Sequence, residues 1–173
     1  RVDEIKDALL PIDFEETKAA LETNIKSRAE AKALLEKGGV LIIFPGGTVS
    51  TTPTLLSRTA KDPEWKTFTA RMIVQGKAPV VPIYFAGQNS RLFQIASHVS
   101  MTLRLSLLFK EVHDRIGSDM TLRIGNRIPY EELKAISDRK QLMEFLRDKT
   151  YALADEVPKK KSKRRRRRRE LVE

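Results

Sequence analysis

Residues 40–50 read VLIIFPGGTVS. Val40 to Phe44 are five apolar residues in a row, the length of a strand that crosses a core. The chain then breaks at Pro45-Gly46-Gly47 and presents hydroxyls at Thr48 and Ser50. A strand that ends in a donor-rich glycine turn is suited to holding an oxyanion on backbone N–H groups. The arrangement recurs in PVVPIYFAGQNSR, residues 79–91, where a second apolar run enters a glycine turn followed by Asn89, Ser90 and Arg91. Two such turns would line one site at the ends of neighbouring strands. The plain alternative for each is an ordinary turn after a core strand. Neither turn is a P-loop, because the GxxxxGK[ST] spacing and its lysine are missing.

Working outward, residues 15–37 carry alanines and leucines at helical spacing, and Gly38-Gly39 stops them. Residues 45–64 lack periodicity and hold Pro45, Pro53 and Pro63, which predicts a long loop of the kind that carries function. Residues 65–75 predict a helix with Trp65, Phe68, Met72 and Ile73 near one face, and Pro79 to Phe85 the second strand. Residues 92–109 hold two apolar tracks and predict one long helix, although Met101, Leu103, Leu105 and Leu107 also alternate, which leaves a strand open at its end; the segment is read first as a core helix and second as lining an acyl-chain channel or lying on a bilayer. Residues 120–124 alternate like a strand, Gly125-Asn126 turns, and residues 138–154 form a last helix capped by Ser137. Helices between strands at this spacing predict an α/β fold with a largely parallel sheet flanked by helices.

Composition narrows the function classes. The 173 residues suffice for one domain with a modest core. There is no cysteine, so disulfide and thiol chemistry are excluded, and two histidines do not make a multi-histidine metal site. No apolar run approaches the length of a membrane-spanning helix, and no signal peptide is visible. The net charge of +10 is localised: KKKSKRRRRRR, residues 159–169, holds ten of the 33 basic residues. Without residues 159–173 the chain carries 23 basic and 21 acidic side chains. The chain is therefore expected to divide into a nearly neutral domain, 1–157, and a basic disordered tail, 158–173.

Other candidates are single residues. Arg71 could grip an anionic headgroup from its helix, although a solvated surface arginine is the plainer reading. Asn89 and Arg91 sit just past the second strand, where ligands bind in α/β sheets. His98 lies in the apolar 92–109 segment and reads as a packed or edge histidine; His113 precedes Asp114 and could pair with it. No nucleophile elbow, HExxH or other complete catalytic set is present.

Several stretches together resemble the phospholipid/glycerol (lysophospholipid) acyltransferase superfamily, and its bacterial hemolysin-like and ornithine-lipid branch above all. They are LLPIDFEETKAALETNIKSR, GGVLIIFPGGTVS, WKTFTARM, APVVPIYFAGQNSRLFQIASHVSMTLRLSLLFKEV and LRIGNRIPYEEL, spanning about residues 9–153. The resemblance implies that Phe44, Pro45, Gly47, Thr48 and Ser50 occupy the places of a Phe-Pro-Glu-Gly-Thr block that binds the acyl acceptor. Gly46 stands where many relatives have glutamate, and Val49 where many have arginine. Pro82, in Val81-Pro82-Ile83, corresponds to a later block that shapes the acceptor side. The histidine and aspartate four residues apart that serve as base and orienting acid in the family have no counterpart: Leu103 stands five positions after His98, and Ser118 five after His113.

The resemblance implies a glycerolipid-acyltransferase-like fold that is N-terminally truncated; the chain opens on Arg1 and reads as a fragment. In the complete protein it implies transfer of a fatty acyl group from acyl-carrier protein or coenzyme A to the hydroxyl of a lysolipid, a lysophospholipid or lyso-ornithine lipid. The expected site comprises Phe44, Pro45, Gly46, Gly47, Thr48, Ser50, Arg71, Pro82, Asn89 and Arg91, with no metal and no cofactor. The isolated chain is expected to be inactive. Expected partners are the lysolipid, the acyl donor and an anionic membrane surface, with the protein peripheral on the cytoplasmic face of the inner membrane. A non-catalytic lipid-binding remnant is one alternative. A polyanion binder acting through the tail is another, but specific nucleic-acid recognition is not expected of a near-neutral, aromatic-poor domain.

Overall fold

Two glycines stop the first helix, and the way they do so is local chemistry. Helix α1 runs Lys18–Glu36, with the Thr17 side chain accepting from Ala20 N–H at 3.1 Å. At its end Gly38 takes φ +77°, the left-handed region that glycine enters without a Cβ clash. Gly39 N–H then reaches Leu34 O (2.9 Å) and Gly38 N–H reaches Leu35 O (3.0 Å), the paired bonds of a Schellman stop. The computed structural model describes residues 8–12 and 17–157. The basic tail, 158–173, lies outside the described residues.

Downstream come α2 (Phe68–Gly76), β1 (Ile83–Phe85), α3 (Arg91–Val99), α4 (Met101–Arg115), β2 (Leu122–Ile124), α5 (Tyr130–Leu133) and α6 (Arg139–Ala152), closed by a 3-10 turn at Leu153–Glu156. The core lies between α2 and α6. Ala70, Ile73, Ile128, Leu133, Leu142, Met143 and Leu146 are buried together, with Trp65, Val80, Tyr130, Ile136 and Phe145 packed against them. Helix α6 is capped by Asp138, which accepts from Gln141 N–H at 2.8 Å, and not by the Ser137 that the sequence suggested.

The expected α/β architecture is overturned. Among the described residues the protein is mostly helical, and its sheet is two-stranded and antiparallel, with Ile83 opposite Ile124 and Phe85 opposite Leu122. Beyond the strands, Val80 pairs with Ile128 where the register would place residue 127, so one extra residue is accommodated beside Pro82. Proline has no N–H to give to a ladder, and the break falls beside it.

Residues 40–44 do not form a paired strand. No backbone–backbone hydrogen bond involves residues 40–43 among the described residues. Val40, Ile42 and Phe44 are 81%, 74% and 73% exposed, while Leu41 and Ile43 are half-buried. The segment keeps the two-residue alternation of a strand, but alternation is a local property and ladder pairing is not. The long 92–109 helix is also two helices, broken at Ser100, whose extended backbone (φ −155°, ψ 131°) ends α3 while its side chain accepts from Leu103 N–H to start α4. Helix α3 buries Phe93, Gln94 and Ala96, whereas α4 buries no residue, so the core-helix reading holds only for the first half.

Candidate acceptor site at the 45–50 turn

The turn is held from three sides. At its entry, Pro45 O accepts from Lys66 N–H (3.0 Å), just before α2, and Gly47 N–H reaches back to Phe44 O (3.3 Å). Gly47 has φ +67°, so glycine chemistry is required there, whereas Gly46 has an ordinary φ and is buried. At its exit, Ser50 Oγ donates to Asp62 Oδ1. From α4, Arg104 Nη2 donates to Thr48 Oγ1 (2.9 Å) and to Val49 O (3.1 Å).

Asp62 is the hub of the long loop. Its second carboxylate oxygen accepts from Trp65 Nε1 at 3.0 Å, its N–H donates to the Tyr151 hydroxyl at 3.0 Å, and its carbonyl accepts from Arg147 Nη2 at 2.8 Å. The last two partners sit on α6, so the loop is fastened to the core. Burial pushes the Tyr151 phenol above its ordinary pKa, against the lowering effects of the Asp62 N–H and the Arg147 charge. Thr51 and Lys61 exchange backbone hydrogen bonds (3.3 and 3.0 Å) and close the loop into a short antiparallel bridge.

The second turn reaches the first through α3. Buried Gln94 donates to Asn89 O (3.5 Å) and accepts from the N–H of buried Thr52 (2.9 Å). The Thr52 hydroxyl lies 3.3 Å from His98 Nε2. Arg91 bonds the carbonyls of Ser57 and Leu55, and Gln88 bonds Ala60 N–H and Arg58 O at 2.8 Å each. These contacts make Arg91 a brace for the 55–60 loop.

The expected residues therefore divide. Phe44 to Thr48 and Ser50 form the turn itself, and the Asn89 carbonyl is tied through Gln94 to Thr52, just past it. Pro82 is buried at the sheet break, with its carbonyl accepting from Gly125 N–H at 2.9 Å. Arg71 is not brought to the turn; it lines a separate groove with Arg28, Val74, Gln75 and Arg139. Sequence reasoning missed Arg104 and Asp62. The signal for Arg104 was a single cation in the apolar run MTLRLSLLF; Asp62 had none beyond a carboxylate before Pro63.

The turn opens onto apolar surface. The Phe44 and Phe85 rings lie 6.4 Å apart, which sets residues 40–44 beside β1. Ile83, Phe85, Leu122 and Ile124 are exposed on the strands, Met101, Leu105, Phe109 and Val112 along α4, and Ile116 just past its end. Among the described residues no helix is long and apolar enough to cross a membrane.

Among the described residues, neither histidine stands in a catalytic pair. Exposed His113 has Nδ1 3.6 Å from Asp114 Oδ1, and that carboxylate also receives Lys110, whose hydrogen bond holds the Asp114 carboxyl below the usual range. Among the described residues, His98 has the Thr52 hydroxyl as its hydrogen-bond partner.

Comparison with known proteins gives a distant likeness. Residues 14–86 match a family model described as Acyltransferase. Two curated relatives are each named Lyso-glycine lipid O-acyltransferase. That of Bacteroides thetaiotaomicron is 28% identical over 119 residues, covering 65% of this chain and 43% of the relative. That of Phocaeicola vulgatus is 27% identical over 119 residues, covering 65% of this chain and 42% of the relative. The likeness is thus a distant one, to acyltransferases of a lyso-lipid, and the match takes in less than half of either relative. No solved structure matches.

Proposed function

We propose that this chain supplies the acceptor-binding part of an enzyme that moves a fatty acyl group from the thioester of acyl-carrier protein or coenzyme A to the hydroxyl of a lysolipid. The observation that carries this reading is the 45–50 turn, fixed by Asp62 and Arg104 at the end of an exposed apolar segment and lying inside the stretch that matches the acyltransferase family. The acceptor oxygen forms the new ester bond to the acyl carbon, the C–S bond breaks, and the sulfur leaves as thiolate. The hydroxyl proton must pass to a base near the transition state, and its absence costs about 10²–10⁴-fold in rate. His98 and His113 are not placed for that task. In our reading the base is a histidine paired with an aspartate in the complete protein, upstream of Arg1, and this chain alone does not turn over.

The acceptor is a lysophospholipid or an amino-acid-based lysolipid; the two relatives favour the second. The exposed apolar face beside the turn would take the acyl chain or meet the leaflet. The basic tail would hold the domain peripherally to an anionic membrane surface, where each cation adds about 1 kcal/mol.

The test is acyl transfer from labelled acyl-carrier protein and acyl-coenzyme A to a lysolipid panel, using an upstream-extended protein with the 173-residue chain alongside. Turnover only in the extended form supports the proposal. Turnover by the chain alone overturns its incompleteness. Lysolipid binding without turnover in either form would make the domain a non-catalytic lipid binder.

A further inference from the structure

Arg104 is a cation already held in place and not yet neutralised. One of its nitrogens, Nη2, spends its hydrogens on Thr48 Oγ1 and Val49 O, both neutral acceptors. Its Cζ lies 5.9 Å from the centroid of the Phe93 ring, which is fully buried, so the guanidinium rests on a fixed aromatic surface. Nε and Nη1 have no acceptor, and no carboxylate pairs with the group, among the described residues. Lys26 and Lys32 of α1 and Lys110 of α4 differ, since each has an acidic partner one turn away. An arginine ordered by neutral contacts has already lost much of its side-chain freedom, so an arriving anion meets a preorganised donor. The half-burial of Arg104 also removes part of the water that would screen the interaction.

The surroundings indicate what kind of anion. On the same helix Met101 and Leu105 are exposed, and Phe44 is exposed where the chain enters the turn. A ligand reaching Thr48 and Arg104 thus meets a cation and a hydroxyl among apolar side chains, which suits an amphiphile with an oxyanion close to its acyl chain.

We propose that Arg104 binds the anionic headgroup, carboxylate or phosphate, of the single-chain lipid whose hydroxyl is acylated, with Thr48 fixing the guanidinium against the turn. The inference rests on the acceptor reading of the 45–50 turn and names the headgroup class it selects.

The test is equilibrium binding of labelled single-chain lipids, below micelle formation, to the full 173-residue chain. The probes are N-acylglycine (carboxylate), lysophosphatidate (phosphate) and monoacylglycerol (neutral). Arg104→Gln is compared with wild type, with Arg104→Lys, and with Lys26→Gln, which removes the same charge from α1; all carry the same basic tail. Arg104→Gln should weaken the anionic probes about tenfold, the lower range for a charge-assisted hydrogen bond, while the neutral probe stays within about twofold. Arg104→Lys should recover part of the loss and Lys26→Gln should lose none. The anion that suffers more identifies the headgroup. Equal weakening of all three probes would reduce Arg104 to a structural prop, and unchanged binding in Arg104→Gln would remove it from the site; either result overturns the inference and leaves the acceptor reading standing. Wild type that binds none of the probes overturns the acceptor reading itself. If Arg104→Gln does not fold by circular dichroism, Arg104→Lys decides: a preference for anionic over neutral probes equal to that of wild type refutes a role for the guanidinium.

Discussion

Replacing Asp62 by alanine should loosen the candidate site and the core together, because one carboxylate serves both. Its oxygens accept from the Ser50 hydroxyl at the turn and from the Trp65 indole at the edge of the core. A hydrogen bond to a charged group contributes about 1.5–3 kcal/mol net, and half-burial of both donors brings each contact to about 1 kcal/mol, so the variant should lose about 2 kcal/mol. For a chain of this size that lowers the melting midpoint by about 4–8 °C. The backbone bonds of Asp62 to Tyr151 and Arg147 survive the substitution, so the loss should stop short of unfolding the loop. Trp65 is the only tryptophan, so its emission reports the freed indole while circular dichroism follows the helices. Asp62→Asn, whose amide oxygen can still accept from Trp65, should lose about half as much. A midpoint within 1 °C of wild type for Asp62→Ala, by both probes, would refute the hub role.

Three further outcomes follow from single features. Gly47→Ala must place a side chain at φ +67° and should cost about 1–2 kcal/mol in urea unfolding; Gly46→Ala, whose Cβ would meet Pro63 and Asp62 at 3.7–3.8 Å, should be nearly neutral, and the reverse order would contradict the turn geometry. Because burial raises the Tyr151 pKa above that of the unfolded chain, its contribution to stability is complete below about pH 10 and declines as pH rises through the folded value; Tyr151→Phe should flatten that alkaline decline, and an unchanged limb would assign it to other groups. Residues 40–43, whose backbone has no backbone partner among the described residues, include exposed Val40 and Ile42, a template for edge pairing, so the isolated chain should self-associate and Val40→Lys with Ile42→Lys should reduce its sedimenting mass; a wild-type monomer at high concentration would argue against it.

What could be read in advance was whatever depends on neighbours along the chain. The Gly38-Gly39 stop, α2 with Met72 and Ile73 inward, and α6 with Leu142 and Leu146 inward all follow from spacing within a few residues. The failures depend on distant partners. Five apolar residues at 40–44 look alike whether or not a second strand pairs with them, and a parallel sheet was inferred from the order of elements, whereas among the described residues the paired strands β1 and β2 lie either side of α3 and α4 and run antiparallel. Ser100 divides one apolar run into a helix that reaches the core and a helix that does not, and a periodicity argument has no term for what lies opposite.

The same division runs through the candidate site. Its turn was legible because proline and two glycines punctuate an apolar run, and glycine at 47 is required by a positive φ. Its charges were not. Arg71 was a reasonable candidate by type, yet it sits on a face of α2 directed at Arg28 and Arg139. Arg104, 56 residues from Thr48 in sequence, reaches the turn only because α4 leaves Ser100 in a new direction. That change of direction also exposes the apolar residues of α4. The break that costs the domain a buried helix thus sets a cation and an apolar surface beside one hydroxyl-bearing turn, the combination a lipid headgroup and its chain require.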